Sequence, residues 1–419
     1  MDLDKLRISN KEIVNIVFVG HVDAGKSTIC GQILVLQGLV DKRTIEKYKE
    51  ASKESGRESW YLSWCLDTNP EEREKGKTTE VGTASFELPN RRINVLDAPG
   101  HKQYVFEMIS GANAADVGVL VVSARINEFE AGFEKGGQTR EHILLMKSSS
   151  VQKIIVLVNK MDDPSVNWSL ERFTEIKRKI GAYVKNLFPT PEFIPISGMS
   201  GENIKYKKEK TWYEGPTFFD LLDRIELKKK DLSVLDITIT EKSKLMGASF
   251  VCGMVNSGRL TKESTVKVIP GNQNLSIANL YDLDDVEVPE GVPGDTLKIK
   301  FKNSDLEELE VGHRLVEPSS EVLKACTRFT CGINILDSNG LICLGYSCML
   351  HIGIVSVQCK IKELRNKDNK KIRFVRTGDK ALALIEVDNT IVLSPNKDRF
   401  SLRIADKTLA VGVVRNIKE

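Results

Sequence analysis

The stretch Gly20-His21-Val22-Asp23-Ala24-Gly25-Lys26-Ser27 decides the fold of this chain of 419 residues. It fits the pattern G-x-x-x-x-G-K-[ST] and lies between an apolar run at residues 13–20 and a helical pattern at residues 26–36. Glycines let backbone N–H groups close around phosphate oxygens, while the lysine can reach the outer phosphates and the serine hydroxyl can bind magnesium. The stretch predicts a phosphate-binding loop, although alone it leaves open a glycine-rich turn without function.

Three further motifs follow in order, each at the end of an apolar run that predicts a buried strand. Asp97-Ala98-Pro99-Gly100 offers an aspartate that can hold magnesium through water and a glycine N–H that can contact a γ-phosphate. Asn159-Lys160-Met161-Asp162 offers a carboxylate that can accept two hydrogen bonds from a guanine ring, which adenine cannot supply. Ser197-Gly198 can place a backbone N–H against the guanine carbonyl. Because the carboxyl ends of parallel strands meet at one edge of a sheet, the four motifs together predict a guanine-nucleotide site.

The motifs define a set of candidate contacts with the nucleotide. The residues predicted to contact the phosphates are Asp23, Ala24, Gly25, Lys26, Ser27, Thr28 and Gly100. The residues predicted to contact guanine are Asn159, Lys160, Asp162, Ser197 and Gly198. Magnesium is the predicted cofactor, with Ser27 as a direct ligand and Asp97 acting through water.

The pattern of apolar and polar residues changes near residue 232. Before that point, apolar runs alternate with helical patterns, which predicts an α/β domain with a doubly wound, mostly parallel sheet. Afterwards, short strand-like segments are separated by glycine, proline and asparagine, which predicts two all-β barrels. We expect a first domain at residues 1–232 and barrels at residues 233–322 and 323–419.

Composition limits the classes of partner and compartment. The chain has 61 basic and 58 acidic residues, so its formal charge of +3 is not that of a polycation that coats nucleic acid. We expect no DNA partner and only local contact with RNA. The basic stretches 205–210, 228–230 and 367–373 are predicted to be solvated loops, which at a ribosome could also contact phosphates. The eight cysteines form no C-x-x-C pair, which favours buried free thiols over a zinc site. No signal peptide or membrane-spanning run is recognisable, so we expect a cytoplasmic protein without a membrane partner.

The motifs Gly-His-Val-Asp-Ala-Gly-Lys-Ser, Asp-Ala-Pro-Gly-His and Asn-Lys-Met-Asp together resemble the translational GTPase family of elongation factor one alpha. This family includes the rescue GTPase that partners Pelota and the eukaryotic class II peptide-chain release factor. The resemblance covers nearly the whole chain and implies a GTPase domain followed by two β-barrels. Within the family, residues 56–64, 67–73 and 76–82 favour the release factor.

The resemblance also implies roles for two residues that the motifs alone do not assign. Thr78 stands two places after Gly76, where the family has a threonine that binds magnesium while the γ-phosphate is present. His101, directly after Gly100, is implied as the catalytic residue that positions the attacking water. No arginine stands out as an internal finger, so we expect slow intrinsic hydrolysis of GTP to GDP and stimulation by the ribosome.

The implied partners are a class I peptide-chain release factor and the ribosome, including ribosomal RNA. Four alternatives remain open at this stage: delivery of aminoacyl-tRNA, ribosome rescue with Pelota, the GTPase subunit of a sulfate-activating enzyme, and a nucleotide-bound scaffold that does not hydrolyse GTP. Release factors usually carry a long low-complexity extension before the GTPase domain, whereas here the loop glycine is residue 20. Roles of that extension, such as contact with poly(A)-binding protein, therefore cannot be carried over to this chain from the resemblance. Residues 398–404 resemble the family's Gly-Arg-Phe-x-x-Arg-Asp but differ at both ends.

Overall fold

The structure is a computed structural model that falls into two compact units, divided between Lys228 and Lys229. The residues that it describes are 11–56, 60–66, 81–101, 104–134, 137–149, 151–185, 187–228, 231–245, 248–283, 285–302, 306, 308–336, 340–405 and 407–418. The candidate magnesium ligand Thr78 lies outside them. None of the helices in these ranges is long and apolar enough to cross a membrane.

The first unit contains a six-stranded sheet and the helices that pack on it. Its strands are β1 (Glu12–Gly20), β2 (Gly82–Glu87), β3 (Arg91–Asp97), β4 (Val117–Ser123), β5 (Lys153–Asn159) and β6 (Glu192–Pro195). Its helices in the described ranges are α1 (Lys26–Leu36), α2 (Lys42–Glu54), α3 (Val105–Ala114), α4 (Glu128–Phe133), α5 (Gln138–Ser148), α6 (Leu170–Val184) and α7 (Phe218–Arg224). A short 3₁₀ helix covers Ser63–Cys65.

The strand order in this sheet is β2-β3-β1-β4-β5-β6. The pair β2–β3 is antiparallel, and every other pair in the sheet is parallel. Strand β1 pairs with β3 on one side and β4 on the other, so the chain order reverses beside it. The loop that leaves β1 therefore lies at the switch point where α/β sheets bind ligands.

Successive side chains of β1 point to opposite faces of the sheet, and both faces are buried. Val17 and Val19 belong to the core that includes residues of α3, α5 and α6. Val14, Ile16 and Phe18 belong to the core on the other face, with residues of α1 and α7. A strand with two buried faces needs an almost continuous apolar run, and the sequence has one there. The predicted doubly wound, mostly parallel sheet is confirmed.

The second unit contains the β-rich half of the chain. The strands that build its first barrel region are β7 (Asp236–Leu245), β8 (Ala248–Ser257), β9 (Leu260–Thr261), β10 (Thr265–Ile269), β11 (Asn274–Tyr281), β12 (Glu287–Val288), β13 (Glu290–Gly291), β14 (Thr296–Phe301) and β15 (Arg314–Val316). Those of the second region are β16 (Lys324–Ile335), β17 (Ile342–Cys343), β18 (Ser347–Ile352), β19 (Val355–Arg365), β20 (Phe374–Val375), β21 (Lys380–Leu393), β22 (Arg399–Ile404) and β23 (Lys407–Lys418).

Hydrogen-bonded pairs close both barrels. Six strands form the first in the order β10-β15-β7-β8-β14-β11, and β11 pairs back with β10. The second is closed in the order β16-β21-β19-β18-β22-β23, with β23 paired to β16. Closure leaves no free sheet edge in the ring, and the alternate residues of each strand fill the interior. The prediction of two β-barrels is confirmed, whereas the exact domain limits at residues 232/233 and 322/323 stay predictions.

Two further sequence predictions concern the barrels. Six of the eight cysteines are buried free thiols, as expected, but Cys65 is only half-buried and Cys343 is exposed. In the segment 398–404, which differs from the family's motif at both ends, residues Arg399–Ile404 form β22. Its Phe400 side chain packs edge-on against Phe329 in the second barrel, with 5.7 Å between ring centroids. This aromatic pair ties the segment into the barrel core.

Candidate nucleotide site

The loop between β1 and α1 has a backbone that only glycine accommodates at two positions. Gly20 has φ 152°, and a Cβ added there would lie 2.3 Å from the carbonyl oxygen of Val121 on β4. Gly25 has φ 95° and precedes the first turn of α1, and an added Cβ would lie 2.4 Å from Asn159 Nδ2. The loop is therefore pressed against neighbouring strand ends, with Ser27 and Thr28 in the first turn of α1.

Lys26 folds back over this loop. Its side chain is buried, and its amine donates hydrogen bonds to the carbonyl oxygens of Gly20 and His21, both at 3.1 Å. Burial lowers the pKa of the Lys26 amine, and the nearby carboxylates of Asp97 and Asp23 oppose that shift. The amine is thus held against the backbone carbonyl groups of this loop.

The Asp97 to Gly100 loop meets the same lysine. Asp97 ends β3 and is fully buried, and the next residue, Ala98, donates its N–H to the carbonyl of Phe18 on β1 at 3.2 Å. A Cβ added to Gly100 would lie 2.4 Å from Lys26 Nζ and 2.9 Å from the Gly20 carbonyl oxygen. Only a glycine lets the chain pass this close to the lysine amine, so the structure brings the first two motifs together.

Asn159 joins the phosphate loop to the loop after β6. Its side-chain amide donates to the Ala24 carbonyl at 2.8 Å, and its Oδ1 accepts the N–H of Gly198 at 2.8 Å. The side chain is only 3% exposed, so both bonds lie away from solvent. Sequence reasoning placed Asn159 among the contacts with guanine. In the structure its side chain joins the loop after β1 to the loop after β6.

The two aspartates after Lys160 have different surroundings. Asp163 pairs with Arg125 on the surface, and hydrogen bonds from Ser165, together with Arg125, lower its pKa to about 2. Asp162 is exposed, and no hydrogen bond or ion pair to another described residue engages its carboxylate. Lys160 has φ 63°, and its amine pairs with Glu128 Oε2 at 2.7 Å. Asp162 is therefore the carboxylate of this motif that remains open to a ligand.

The Ser197-Gly198 loop is held by internal hydrogen bonds. Ser197 is fully buried, and its hydroxyl accepts the N–H of Ser200 at 3.2 Å, while its carbonyl accepts that of Gly201 at 2.9 Å. The N–H of Gly198 is taken by Asn159. Within the described part of this loop, the N–H of Met199 has no protein acceptor. Sequence reasoning missed Met199, because a backbone donor leaves no side-chain signal.

His101 lies where the Gly100 loop leads toward α3. Its ring is half-buried and tilted against that of Tyr104, with 6.1 Å between centroids, and its carbonyl accepts the Tyr104 N–H at 3.0 Å. The histidine therefore follows directly on the loop that touches Lys26. A cavity of about 280 Å³ is lined by residues 21–24, by the end of β4 and by residues in and around α4.

Comparison with known proteins agrees with this arrangement. The model of the elongation factor Tu GTP binding domain matches residues 11–249, and that of the elongation factor Tu C-terminal domain matches residues 322–418. The chain is 42% identical over 427 residues to a eukaryotic peptide chain release factor GTP-binding subunit of Candida maltosa, covering 97% of this chain and 60% of that protein. It is 41% identical over 428 residues to the subunit of the same name in Schizosaccharomyces pombe, covering 97% of this chain and 64% of that protein. The chain thus spans about three fifths of the length of these relatives.

A solved structure extends the comparison to the fold. The GTPase-like domain of S. cerevisiae Ski7, bound to GDP and inorganic phosphate, matches with a TM-score of 0.80 over 99% of both chains. At 19% identity this likeness concerns the fold alone. The resemblance to translational GTPases that the motifs predicted is confirmed by the family models. Because the GTP binding domain model covers more than half of the chain, this protein belongs to the elongation factor Tu family of GTP-binding proteins.

Proposed function

We propose that this chain binds and hydrolyses GTP in translation termination, as the partner of a class I release factor on the ribosome. The observation that carries the proposal is the match of nearly the whole chain to proteins named release factor GTP-binding subunits. The nucleotide site supports it, because four loops from distant parts of the sequence converge around Lys26 and Asn159. The termination role, the ribosome and the partner are inferred from those relatives.

The phosphates would lie on the loop from Asp23 to Thr28, whose N–H groups point out from the start of α1. Lys26 would exchange its bonds with the carbonyls of Gly20 and His21 for bonds to the β and γ phosphates. Gly100 lies beside that amine, and its N–H would contact the γ-phosphate. Loss of the γ-phosphate would then remove a contact of Gly100, the residue directly before His101.

The guanine ring would be held by Asp162 and by the loop after β6. The open Asp162 carboxylate can accept two hydrogen bonds from the ring edge, while the N–H of Met199 can donate to the guanine carbonyl. Lys160, Ser197 and Gly198 are the remaining predicted guanine contacts. They would lie beside the ring without donating hydrogen bonds to it, because the Lys160 amine is paired with Glu128 and the Gly198 N–H with Asn159. Calorimetry with GTP, GDP and ATP tests this arrangement, and we expect tight binding of both guanine nucleotides and little binding of ATP. Equal affinities for GTP and ATP would contradict it.

Magnesium fits the oxygen donors of the site. The Ser27 hydroxyl at the start of α1 and the buried Asp97 carboxylate at the end of β3 are hard ligands of the kind this ion prefers. We propose Ser27 as a direct ligand, Asp97 as a ligand through water, and Thr78 as a third. A bound magnesium ion would neutralise charge that develops on the phosphates. Chelation should therefore weaken GTP binding, which the same calorimetry measures.

Hydrolysis would depend on His101 orienting the attacking water. Stimulation in trans increases the rates of other GTPases by roughly 10³ to 10⁵. We propose that the ribosome stimulates this protein by fixing the position of His101.

We further propose domains at residues 1–232, 233–322 and 323–419, and a cytoplasmic location.

Binding partners separate this proposal from the alternatives. The full chain, loaded with GTP, is immobilised and offered a class I release factor, aminoacyl-tRNA, Pelota and a sulfurylase subunit in separate experiments. We expect retention of the class I factor, and weaker retention when GDP replaces GTP. Tight binding of aminoacyl-tRNA, Pelota or the sulfurylase without binding of the class I factor would overturn the termination role. Binding without measurable GTP hydrolysis on ribosomes would favour the scaffold.

A further inference from the structure

One carboxylate beside the predicted guanine contacts accepts hydrogen bonds from three side chains. Glu128 is the first residue of α4, and its Oε2 accepts the Ser123 hydroxyl at 2.6 Å and the Lys160 amine at 2.7 Å. Its Oε1 accepts Arg125 Nη1 at 3.2 Å. The donors come from the end of β4, from the segment after it and from the loop after β5. We name Ser123, Arg125, Glu128 and Lys160 the Glu128 network.

Lys160 has a backbone conformation that its surroundings must maintain. Its φ of 63° lies in the left-handed region, where a residue other than glycine persists only if neighbouring groups hold it. The ion pair with Glu128 holds the far end of its side chain. That side chain is 21% exposed, so most of it is covered by protein. Lys160 is therefore fixed at its backbone and at its amine.

Arg125 extends this network to the other end of the guanine motif. Its Nε donates to one carboxylate oxygen of Asp163, and the other oxygen accepts the N–H and the hydroxyl of Ser165. The loop after β5 is thus held at Lys160 and at Asp163. These two residues lie on either side of Asp162, which is exposed.

The Glu128 network differs from an isolated ion pair at the surface, which contributes little to stability. Ser123 is buried, and its oxygen also accepts the N–H of Arg125, so the hydroxyl that donates to Glu128 is itself fixed. Burial raises the pKa of Glu128, but hydrogen bonds from Lys160 and Ser123 outweigh this effect and the pKa is lowered. The carboxylate is therefore charged and fixed in direction at neutral pH.

We infer that Glu128 is a positioning residue for guanine binding. By holding the Lys160 amine, it fixes the aliphatic stem of Lys160 as one wall of the guanine pocket. This inference rests on the proposed guanine site and adds to it a residue outside the four sequence motifs. Glu128 touches neither the base nor the phosphates in this arrangement, and it acts through Lys160. Without the carboxylate the stem would rotate more freely, and the nucleotide would dissociate faster.

The test measures how fast radiolabelled GDP leaves the full chain in the presence of magnesium and excess unlabelled GDP. Glu128→Gln keeps the size of the side chain and can still accept from Ser123, but it loses the charge that holds the amine. We expect dissociation to become about threefold to tenfold faster, because losses of affinity fall mostly on the dissociation rate. The Kd for GTP and for GDP should rise by the same factor, since the γ-phosphate lies at the other end of the nucleotide.

Glu175 on α6 provides a matched control. Its side chain is 35% exposed, against 37% for Glu128, and it also accepts from two basic side chains. These are Arg172 at 2.8 Å and Lys179 at 2.6 Å, both on α6 rather than in the loop after β5. Glu175→Gln should therefore leave the GDP dissociation rate within about twofold of the wild-type rate.

A double-mutant cycle shows whether Glu128 acts through Lys160. Lys160→Met keeps an apolar stem without an amine, so it too should release GDP about threefold to tenfold faster. The double variant should be no faster than the faster single variant, because both substitutions remove one interaction. Multiplication of the two effects would show that Glu128 acts independently and would overturn the inference. So would a wild-type dissociation rate in Lys160→Met, whatever the behaviour of Glu128→Gln.

The outcomes separate this inference from the proposed function. If the wild-type protein binds GDP tightly and Glu128→Gln releases it at the wild-type rate, Glu128 has no positioning role and the guanine site stands. If Glu128→Gln raises the Kd for GTP but not for GDP, the carboxylate acts on the phosphate end and the inference is overturned. If the wild-type protein binds neither nucleotide, the proposed function fails and the inference fails with it.

Discussion

Replacing Asn159 with alanine should uncouple the phosphate loop from the guanine loop. Asn159 makes two buried hydrogen bonds of 2.8 Å, to the carbonyl of Ala24 and from the N–H of Gly198. The substitution leaves both backbone groups unsatisfied, at a cost of about 1–3 kcal/mol each. The total of roughly 2–6 kcal/mol would make the ordered pair of loops a minor state of the free protein.

Nucleotide affinity is the property that reports this change. The nucleotide then binds only the fraction of molecules in which the two loops are ordered together. The apparent affinity falls in proportion to that fraction. We expect the Kd for GDP to rise by about 30-fold or more, since 1.4 kcal/mol corresponds to a factor of ten. Isothermal titration calorimetry measures the Kd, and urea denaturation measures the accompanying loss of stability.

Asn203 offers a matched control within the same unit. It is also fully buried, donates to the carbonyl of Pro195 at 2.8 Å and accepts the N–H of Lys208 at 2.8 Å. These bonds do not reach the phosphate loop. Asn203→Ala should therefore lower stability by a similar amount but change the GDP affinity by no more than about threefold. Equal losses of affinity in the two variants, or wild-type affinity in Asn159→Ala, would refute the coupling role.

Three further predictions follow from single side chains. Asp162→Asn should shift preference from guanine toward xanthine nucleotides, because an asparagine amide can donate to the xanthine carbonyl; unchanged GTP affinity would remove Asp162 from the base site. His101→Ala should leave GTP binding nearly intact while ribosome-stimulated hydrolysis falls by orders of magnitude, since the residue acts in the transition state; a parallel loss of binding would contradict this role. Burial, together with Arg403, lowers the pKa of His351 to about 4 from 6.5, so its contribution to stability, full above pH 6.5, should be lost as the pH falls toward 4. His351→Gln should therefore narrow the difference between urea midpoints at pH 7 and pH 5, and an unchanged difference would argue against this assignment.

Strand and helix positions near the motifs were predictable because their signals are local. The predicted helix at residues 26–36 coincides with α1, and the apolar run at residues 13–20 lies within β1. Both are long apolar or amphipathic patterns with clear ends. Strand β2 and helix α2 were not predicted, because β2 carries only one fully buried side chain and α2 only one. Elements that barely touch the core carry few apolar residues, and α2 is dominated by lysine and glutamate, so its sequence resembles a solvated charged segment.

The sequence by itself determined the ligand class, since a phosphate loop needs its glycines, lysine and hydroxyl within eight consecutive residues. It also determined the fold class. A continuous apolar run identifies a strand that is buried on both faces, and alternation of apolar and polar residues identifies a strand that is buried on one face. Only the tertiary structure decided how the loops are joined. Asn159 meets the carbonyl of Ala24 across 135 positions, and this contact exists because parallel pairing aligns the ends of β1, β4 and β5 at one edge. The tertiary structure also decided the direction of each side chain. Asp163 forms an ion pair with Arg125, whereas the neighbouring Asp162 is exposed, because the backbone directs these two identical side chains differently.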